Sequence, residues 1–387
     1  MIRNTIQVAR LEMDKRLHST RWVVALISWV VALLLVTTAL YLEVAPVFGV
    51  YADTFHPGLS ASGASVLMLF VCAITITIAA SSAAGTVNGD RENGMLALMQ
   101  VTPVSGWSII FGKVLAAWLN SLAFLLLSLP FIFALIHAQP DLWPGFGLGA
   151  LVVAVELLAF AGIGVGWSVL TPRPAGSSAL AVFTVLAVFL GSPVLLLTLE
   201  NFTAERFTVE HTELVFLDYD RETGQMLEPG DPGYGQSCEI ESVYVNLSHT
   251  NRYWWLLLTN PVVAVGDALP DSGRYERLLA QPADIRGPRG EGLVEYENGV
   301  ARAVTSGLAY LRLAPAHEKI VNECGPEKGK VVMAQVGDPE APVDDRSGIY
   351  FGWVLVIHVV AGAAMVALAG ASTKVPVVKL ARGTRIA

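Results

Sequence analysis

Two ionisable side chains, Glu156 and His358, lie deep inside long apolar stretches of the sequence. Inserting such a group into the core of a bilayer costs about 3 kcal/mol or more, so it normally faces the interior of a helix bundle or a water-filled path. Two interpretations of this pair stay open. The residues lie along a path for a substrate or a proton, or they form a hydrogen bond between helices that fixes packing.

The sequence shows no motif that is typical of a hydrolase. There is no H-E-x-x-H zinc motif and no nucleophile placed beside a base. The segment from Gly106 to Lys113 is the nearest approach to a phosphate-binding loop, but five residues separate Gly106 from Gly112, and Val114 follows the lysine. A Walker A loop has the pattern G-x-x-x-x-G-K-[ST], which this segment does not meet. We therefore expect no catalytic residue, no metal site and no cofactor on this chain.

Composition indicates what kind of protein holds these residues. The 387-residue chain is 53% hydrophobic and 15% charged, and its mean hydropathy is +0.55. A soluble protein carries about 25% charged residues, so the composition indicates an integral membrane protein in contact with lipids. The formal charge of −8 argues against a nucleic-acid partner, which would need a basic protein surface.

Apolar stretches long enough to cross a bilayer occur six times in the sequence. A transmembrane helix needs about 20 mostly apolar residues. The six stretches are residues 22–42, 62–84, 114–136, 146–170, 179–199 and 350–371. A seventh apolar stretch, 253–269, is broken by Asn260-Pro261, and we interpret it as an interfacial or buried helix on the outer face of the membrane.

The lysines and arginines outside residues 200–349 all fall on one side of a six-span topology. They lie before the first span, in the connections after the second and fourth spans, and in the tail, whereas loops 43–61 and 137–145 contain none. By the positive-inside rule that side is cytoplasmic. We expect both termini in the cytoplasm and residues 200–349 outside.

Residues 200–349 differ in composition from the rest of the chain. They contain 25 acidic and 13 basic residues, and the segment is long enough for an independent domain. Sequence patterns predict strands at 207–219 and 242–247, a short helix at 274–281 and a hairpin turn at Asn298-Gly299. The expected fold class is an α-helical integral membrane protein with six transmembrane helices and an extracytoplasmic α+β domain between helices 5 and 6.

Two of the three cysteines, Cys238 and Cys324, lie in this outer segment. Outside the cytoplasm they are candidates for a disulfide, which would close a long loop. The alternative is a pair of buried thiols. Cys72, in the second span, is expected to contribute packing alone.

A polar segment on the cytoplasmic side joins the second and third spans. It predicts a charged turn, then a short apolar helix over residues 95–99, then a Thr-Pro stop before the third span. Such an element, held just beneath the membrane, could dock another protein. The residues that carry this expectation are polar or shape the turn: Asp90, Arg91, Glu92, Gly94, Thr102 and Pro103.

This segment resembles the permease subunits of type-2 ABC transporters, the exporter class. That family often has a charged pair, a glycine, a short leucine-rich helix, a Thr-Pro-hydrophobic-Ser turn and a later Gly-Lys. The matching residues here are Arg91-Glu92, Gly94, Leu96 to Met99, Thr102-Pro103-Val104-Ser105 and Gly112-Lys113, while Met95 stands where threonine is usual. The Asn260-Pro261 stretch is similar to a segment found before the last span in many of these permeases.

The resemblance implies that ATP hydrolysis and substrate passage are carried out by different subunits. A separate ABC ATPase subunit would bind ATP and magnesium and push on the coupling segment, residues 85–113. A second permease copy or a paralogue would complete the assembly. Glu92 would then help to transmit the movement, since it belongs to the charged pair of the motif.

The first 21 residues are basic and amphipathic. Apolar residues recur every three or four positions, which predicts a helix lying in the membrane interface; the family has an elbow helix there. The remaining domains are expected at 22–199 for spans 1 to 5, 200–349 for the outer domain, and 350–387 for span 6 with a basic tail.

An exporter permease is thus the function expected from the sequence. The alternative is a non-transporting receptor or scaffold whose outer domain binds a ligand or partner. The two share one topology, and a required ATPase partner would distinguish them. The sequence does not indicate the transported substrate.

Overall fold

Long apolar stretches fold as helices because a bilayer offers no water to the backbone, so each segment must satisfy its own polar groups. A computed structural model of the chain describes the following residues: 2–44, 57–94, 104–137, 139–217, 225–229, 235–247, 249–270, 304, 307, 308, 311, 312 and 350–372. Several expectations lie outside these residues, namely the 95–99 helix, the 274–281 helix, the Asn298-Gly299 turn and the basic tail.

Ten α-helices are defined within the described residues. They are α1 (Ile2–Leu17), α2 (Thr20–Val44), α3 (Pro57–Ala84), α4 (Thr86–Glu92), α5 (Gly106–Leu135), α6 (Trp143–Leu170), α7 (Pro174–Leu186), α8 (Ser192–Thr203), α9 (Pro261–Ala268) and α10 (Tyr350–Ser372). A π-helical turn, Ala187–Gly191, joins α7 to α8, and 3₁₀ turns occupy Pro140–Leu142, Thr250–Arg252 and Trp254–Thr259.

Six of the described helical segments are long and apolar enough to cross a membrane. They are Thr20–Leu40, Ala61–Glu92, Gly106–Leu135, Pro140–Leu170, Pro174–Thr203 and Tyr350–Ser372. Each overlaps one of the stretches expected from the sequence. The mostly helical, multi-pass architecture with six candidate spans is therefore confirmed.

The third span begins earlier than its hydropathy predicts. Ser105 caps α5, because its hydroxyl accepts a hydrogen bond from the Ser108 amide at 3.2 Å, and the helix therefore starts at Gly106 rather than at 114. Lys113, expected in the loop before the span, lies inside the helix as a result. This position matters for the site described below.

The prediction of a charged turn at residues 88–94 is wrong, because most of these residues form a helix. Residues up to Glu92 form the helix α4, which follows α3 after a single break at Gly85. The prediction failed because the cap that stabilises this helix comes from a distant part of the chain. Only Asn93 and Gly94 form a turn, and Gly94 has a φ of 68°, in the left-handed region that favours glycine.

The 253–269 stretch is two elements rather than one helix. Asn260 ends the first, a 3₁₀ turn, and caps the second, since its Oδ1 accepts from the Val262 amide at 2.9 Å. The second element, α9, is buried against α10, α6 and α3. Proline at position 261 fits the first turn of α9, where its missing N–H is no loss.

The chain forms two units, and the helices α1 to α7, α9 and α10 belong to the first. Small residues such as Ala83, Ala117, Ala161 and Ala369 fill part of its core. Gly362 sets the closest approach of α10 to α6, because a methyl group there would lie 2.6 Å from the Ala159 carbonyl oxygen. Close helix contacts of this kind are typical of membrane bundles.

The second unit contains residues 194–255 and 308–345. Two long antiparallel strands, β1 (Glu205–Leu217) and β2 (Gly235–Leu247), pair there, with Glu205 opposite Leu247 and Leu217 opposite Gly235. Both overlap the strands expected from alternation. The α+β class of residues 200–349 stays a prediction, because much of that segment lies outside the described residues.

Candidate functional site

Lys113 of α5 is completely buried, although its side chain carries a charge. Its Nζ donates to Glu12 Oε1 of α1 at 2.7 Å, to the Thr86 carbonyl at 3.2 Å, and to Asp90 Oδ2 of α4. Glu12 and Asp90 are themselves only 6% and 7% exposed. A buried charge is tolerated when paired in this way, so one lysine ties together three helices.

Two partly exposed cations flank the buried lysine. Lys15 Nζ lies 3.6 Å from Glu12 Oε1 and 3.6 Å from Asp90 Oδ1, so two carboxylates face two ammonium groups. Arg16 donates to the Ser82 carbonyl at 3.4 Å. Burial lowers the pKa of the Arg16 guanidinium, and the nearby carboxylate of Glu12 partly offsets this effect. We call Glu12, Lys15, Asp90 and Lys113 the charge cluster.

Gly112 allows α1 to reach the charge cluster. A methyl group at this position would lie 2.6 Å from Val8 Cβ and 3.0 Å from the Thr5 carbonyl oxygen, so glycine is needed for the two helices to lie this close. Glu12 follows Val8 by one helical turn and therefore points the same way, toward Lys113. The Gly-Lys pair thus serves helix packing and charge pairing at once.

The first turn of α4 is capped by a different transmembrane helix. Gly85 precedes α4 and offers no side chain. The Ser168 hydroxyl of α6 instead accepts hydrogen bonds from the Val87 amide at 3.0 Å and the Asn88 amide at 3.1 Å. Ser168 and Asn88 are completely buried. Amides in the first turn of a helix need an acceptor from outside that turn, and the Ser168 hydroxyl supplies it where α4 begins.

Asn88 continues the contact to the connection between α6 and α7. Its Nδ2 donates to Ser177 Oγ at 3.2 Å and to Thr171 Oγ1 at 3.3 Å. Its Oδ1 accepts from Arg91 Nη1 at 2.9 Å, and Arg91 also donates to the Thr171 carbonyl at 3.4 Å. We call Asn88, Arg91, Ser168, Thr171 and Ser177 the amide network. α4 is therefore held by charges on one side and by hydrogen bonds on the other.

The coupling residues expected from the sequence separate into three groups. Asp90 belongs to the charge cluster and Arg91 to the amide network. Glu92 and Gly94 are exposed, so they are available to a partner. Thr102 and Pro103 lie outside the described residues.

Sequence patterns do not single out Glu12, Asn88 or Ser168. Glu12 gives one usable signal, because it shares a helix face with the buried residues Val8 and Ala9, and a carboxylate on an apolar face needs a partner. Ser168 gives none, since the amides that it caps lie 80 and 81 residues away along the chain.

Glu156 and His358 meet inside the helix bundle. His358 Nδ1 lies 2.9 Å from Glu156 Oε1 and 2.8 Å from Oε2, and His358 Nε2 lies 2.9 Å from the Thr259 carbonyl oxygen. Glu156 is completely buried and His358 is 4% exposed.

The remaining candidates concern cysteine and metal chemistry. Cys72 is a buried free thiol. The backbone of Cys238 lies in β2, but its side chain and all of Cys324 fall outside the described residues, so their disulfide stays a prediction. Within the described part of the chain, no group of three or more His, Cys, Asp or Glu residues could hold a metal ion.

Comparison with known proteins identifies the helical region. Residues 58–208 match the family model described as ABC-2 family transporter protein. The matched range includes α4, Lys113, Ser168 and Glu156. No curated protein matches the chain. The match confirms the resemblance recognised in the sequence and supports an ABC-2 type permease, a membrane subunit of an ABC transporter.

Proposed function

We propose that this permease subunit exports its substrate by alternating access, driven by a separate ABC ATPase subunit that pushes on α4. The observation that carries the proposal is the position of α4 between the charge cluster and the amide network. Through the charge cluster α4 contacts α1 and α5, and through the amide network it contacts α6 and α7. A movement of α4 therefore reaches four other helices directly.

The exposed end of α4 suits contact with the ATPase. Glu92, Asn93 and Gly94 are exposed there. Beside them lies a cleft of about 430 Å³, lined by residues that include Lys15, Gly89 and Asn93. This surface carries both signs of charge and small residues, which fits a protein partner that binds reversibly.

Coupling requires that the ATP-bound ATPase prefer one conformation of the permease. ATP binding would draw the two ATPase subunits together and displace α4. The buried ion pairs would carry this displacement to α1 and α5, because separating Lys113 from its carboxylates would leave charges unpaired in a dry interior. The helices would then open a path to the outside, and ATP hydrolysis would reset them.

The proposed orientation follows the distribution of lysine and arginine. Both termini and α4 lie in the cytoplasm, and residues 200–349 lie outside as an α+β domain, for which β1 and β2 supply strand content. The chain would pair with a second permease copy or a paralogue. ATP and magnesium would bind on the ATPase rather than on this chain.

Co-purification tests this function. The tagged full-length chain would be extracted gently from native membranes, and its partners would be quantified by mass spectrometry. We expect a stoichiometric ABC ATPase that is reduced by Glu92→Ala and not by Asp14→Ala, a matched change at another exposed acidic residue. An outer partner without any ATPase would overturn the proposal in favour of a receptor or scaffold.

A further inference from the structure

His358 contacts polar groups of two other elements of the helix bundle. On one side Nδ1 contacts the Glu156 carboxylate of α6, and on the other side Nε2 contacts the Thr259 carbonyl. We define the Asn-Pro segment as residues 256–268, which contains Thr259, Asn260 and α9. His358 thus joins α6, α10 and this segment at one point.

The Asn-Pro segment is also anchored on its far side. Asn260 Nδ2 donates to the Phe189 carbonyl at 3.0 Å and to Ser192 Oγ at 3.2 Å. Phe189 lies in the π-helical turn, where the normal helical hydrogen-bond pattern is interrupted. Asp267 accepts from the Phe351 amide at 2.9 Å, at the first turn of α10. The contact to His358 is therefore one of several attachments of this segment, and it joins the Thr259 end to α10.

Both contacts of His358 are hydrogen bonds only when the Glu156–His358 pair carries two protons. A carbonyl oxygen only accepts, so the contact to Thr259 requires a proton on Nε2. The contact to Glu156 requires a second proton, either on Nδ1 or on the carboxyl group. With two protons both contacts are hydrogen bonds. With only one proton on the pair, one of the two contacts brings two hydrogen-bond acceptors together with no proton between them.

The charged carboxylate decides which contact survives when one proton is lost. A hydrogen bond to an ionised acceptor is about twice as strong as one to a neutral carbonyl. The remaining ring proton therefore stays on Nδ1, facing Glu156, and the Nε2 lone pair faces Thr259. Loss of the proton to water thus breaks the hydrogen bond between Thr259 and α10, while the contact of Asp267 with Phe351 and the packing of α9 remain.

The surroundings of the pair favour the form that holds the proton. With two protons the pair is neutral, and with one it carries a negative charge in a buried site. Phe160 packs edge-on against the His358 ring, with ring centroids 5.3 Å apart. Among the titratable groups on the packed elements, Cys72 of α3 is buried near Glu156, and Asp267 of α9 is bonded at Phe351. Lys113 of α5 belongs to the charge cluster, and residues 186–199 contain no titratable group.

We propose that Glu156, His358 and the Thr259 carbonyl form a proton-binding site, and that the bound proton latches the Thr259 end of the Asn-Pro segment to α10. Movement of that segment would release one proton to water, and return of the segment would take one up. By linkage, acidic conditions favour the latched form and alkaline conditions favour the released form. The proposal rests on the geometry of this site and does not depend on an ATPase partner.

Hydrogen–deuterium exchange of the full-length chain in nanodiscs tests the latch. The amides of residues 257–260, 262 and 263 would be compared between wild type and variants at equal pH, because intrinsic exchange rates then cancel in the ratio. At about pH 6 we expect exchange in His358→Ala to be about tenfold faster than in wild type, as a lost hydrogen bond implies. At about pH 9 the ratio should be lower than at pH 6, since higher pH favours the released form of the wild type.

Glu156→Gln separates proton binding from simple packing. Its amide would donate to Nδ1 and leave the proton on Nε2, so both contacts persist without the carboxylate. We expect this variant to match wild type at about pH 6 and to remain protected at about pH 9. The comparison stands even where His358→Ala fails to fold. Equal protection of wild type at both pH values, or a loss of protection in Glu156→Gln that parallels wild type, would overturn the proposal.

Discussion

The Nζ atom of Lys113 lies 2.7 Å from Oε1 of Glu12, across 101 residues of sequence. This ion pair joins the N-terminal helix to the start of the third span, and Asp90 brings α4 into the same contact. We propose a coupling role for the segment around α4. The ion pair gives that role a physical basis, since α4 cannot move without displacing charges that are buried together.

Removal of the buried cation should destabilise the protein strongly. Lys113→Met leaves Glu12 and Asp90 buried, with Lys15 as their remaining cation, and we expect a loss of about 3–5 kcal/mol in the free energy of unfolding. Lys15→Met is the matched control, because this side chain is 40% exposed, and it should cost about 1 kcal/mol or less. Thermal unfolding in detergent measures both, and equal effects would contradict a special role for Lys113.

Loss of the distant cap should loosen α4. Ser168→Ala removes the acceptor of the Val87 and Asn88 amides, at a cost of about 1–3 kcal/mol. Hydrogen exchange over residues 86–92 should become faster. Ser121→Ala is the control, since that buried hydroxyl donates to the Ala117 carbonyl within its own helix. Similar exchange of α4 in the two variants would argue against the cap.

Closer packing at Gly112 should separate α1 from α5. Gly112→Ala places a methyl group against Val8, and overpacking of this kind costs about 1–3 kcal/mol. Adding Val8→Ala should recover part of the loss. Gly147→Ala serves as the control, because nothing lies within 4 Å of the added methyl group. Thermal stability that falls equally in the two glycine variants would count against the close approach.

The exposed carboxylate of α4 should affect coupling without affecting folding. Glu92 is exposed, so Glu92→Ala should leave thermal stability within about 0.5 kcal/mol of wild type. In the complexes that still assemble, ATP hydrolysis should continue while transport into vesicles falls. Transport at the wild-type level in this variant would contradict the role given to the exposed end of α4.

Local patterns predict the helices of this protein well and its contacts poorly. Hydropathy places all six spans, because each is long enough to carry its own signal. The start of α5 is missed since it depends on a Ser105 cap, and the helical form of α4 is missed since its cap is Ser168, far away in the sequence. Glu156 and His358 are found as candidates from hydropathy alone. Their shared contact to Thr259 needs the three-dimensional arrangement.

The central claim to test is that a movement of the ATPase is transmitted through α4 and the charge cluster to α1. Hydrogen exchange would be measured on the purified permease–ATPase complex, with and without a non-hydrolysable ATP analogue. The wild type would be compared with a triple variant, Glu12→Gln, Asp90→Asn and Lys113→Met. This variant removes the three most buried charges of the cluster together. Neither carboxylate is then left charged without Lys113.

In the wild type, we expect the analogue to change exchange in α4 and in α1. In the triple variant, the change should remain in α4 and disappear from α1. A full response of α1 in the triple variant, or no response of α4 in the wild type, would contradict transmission through the charge cluster.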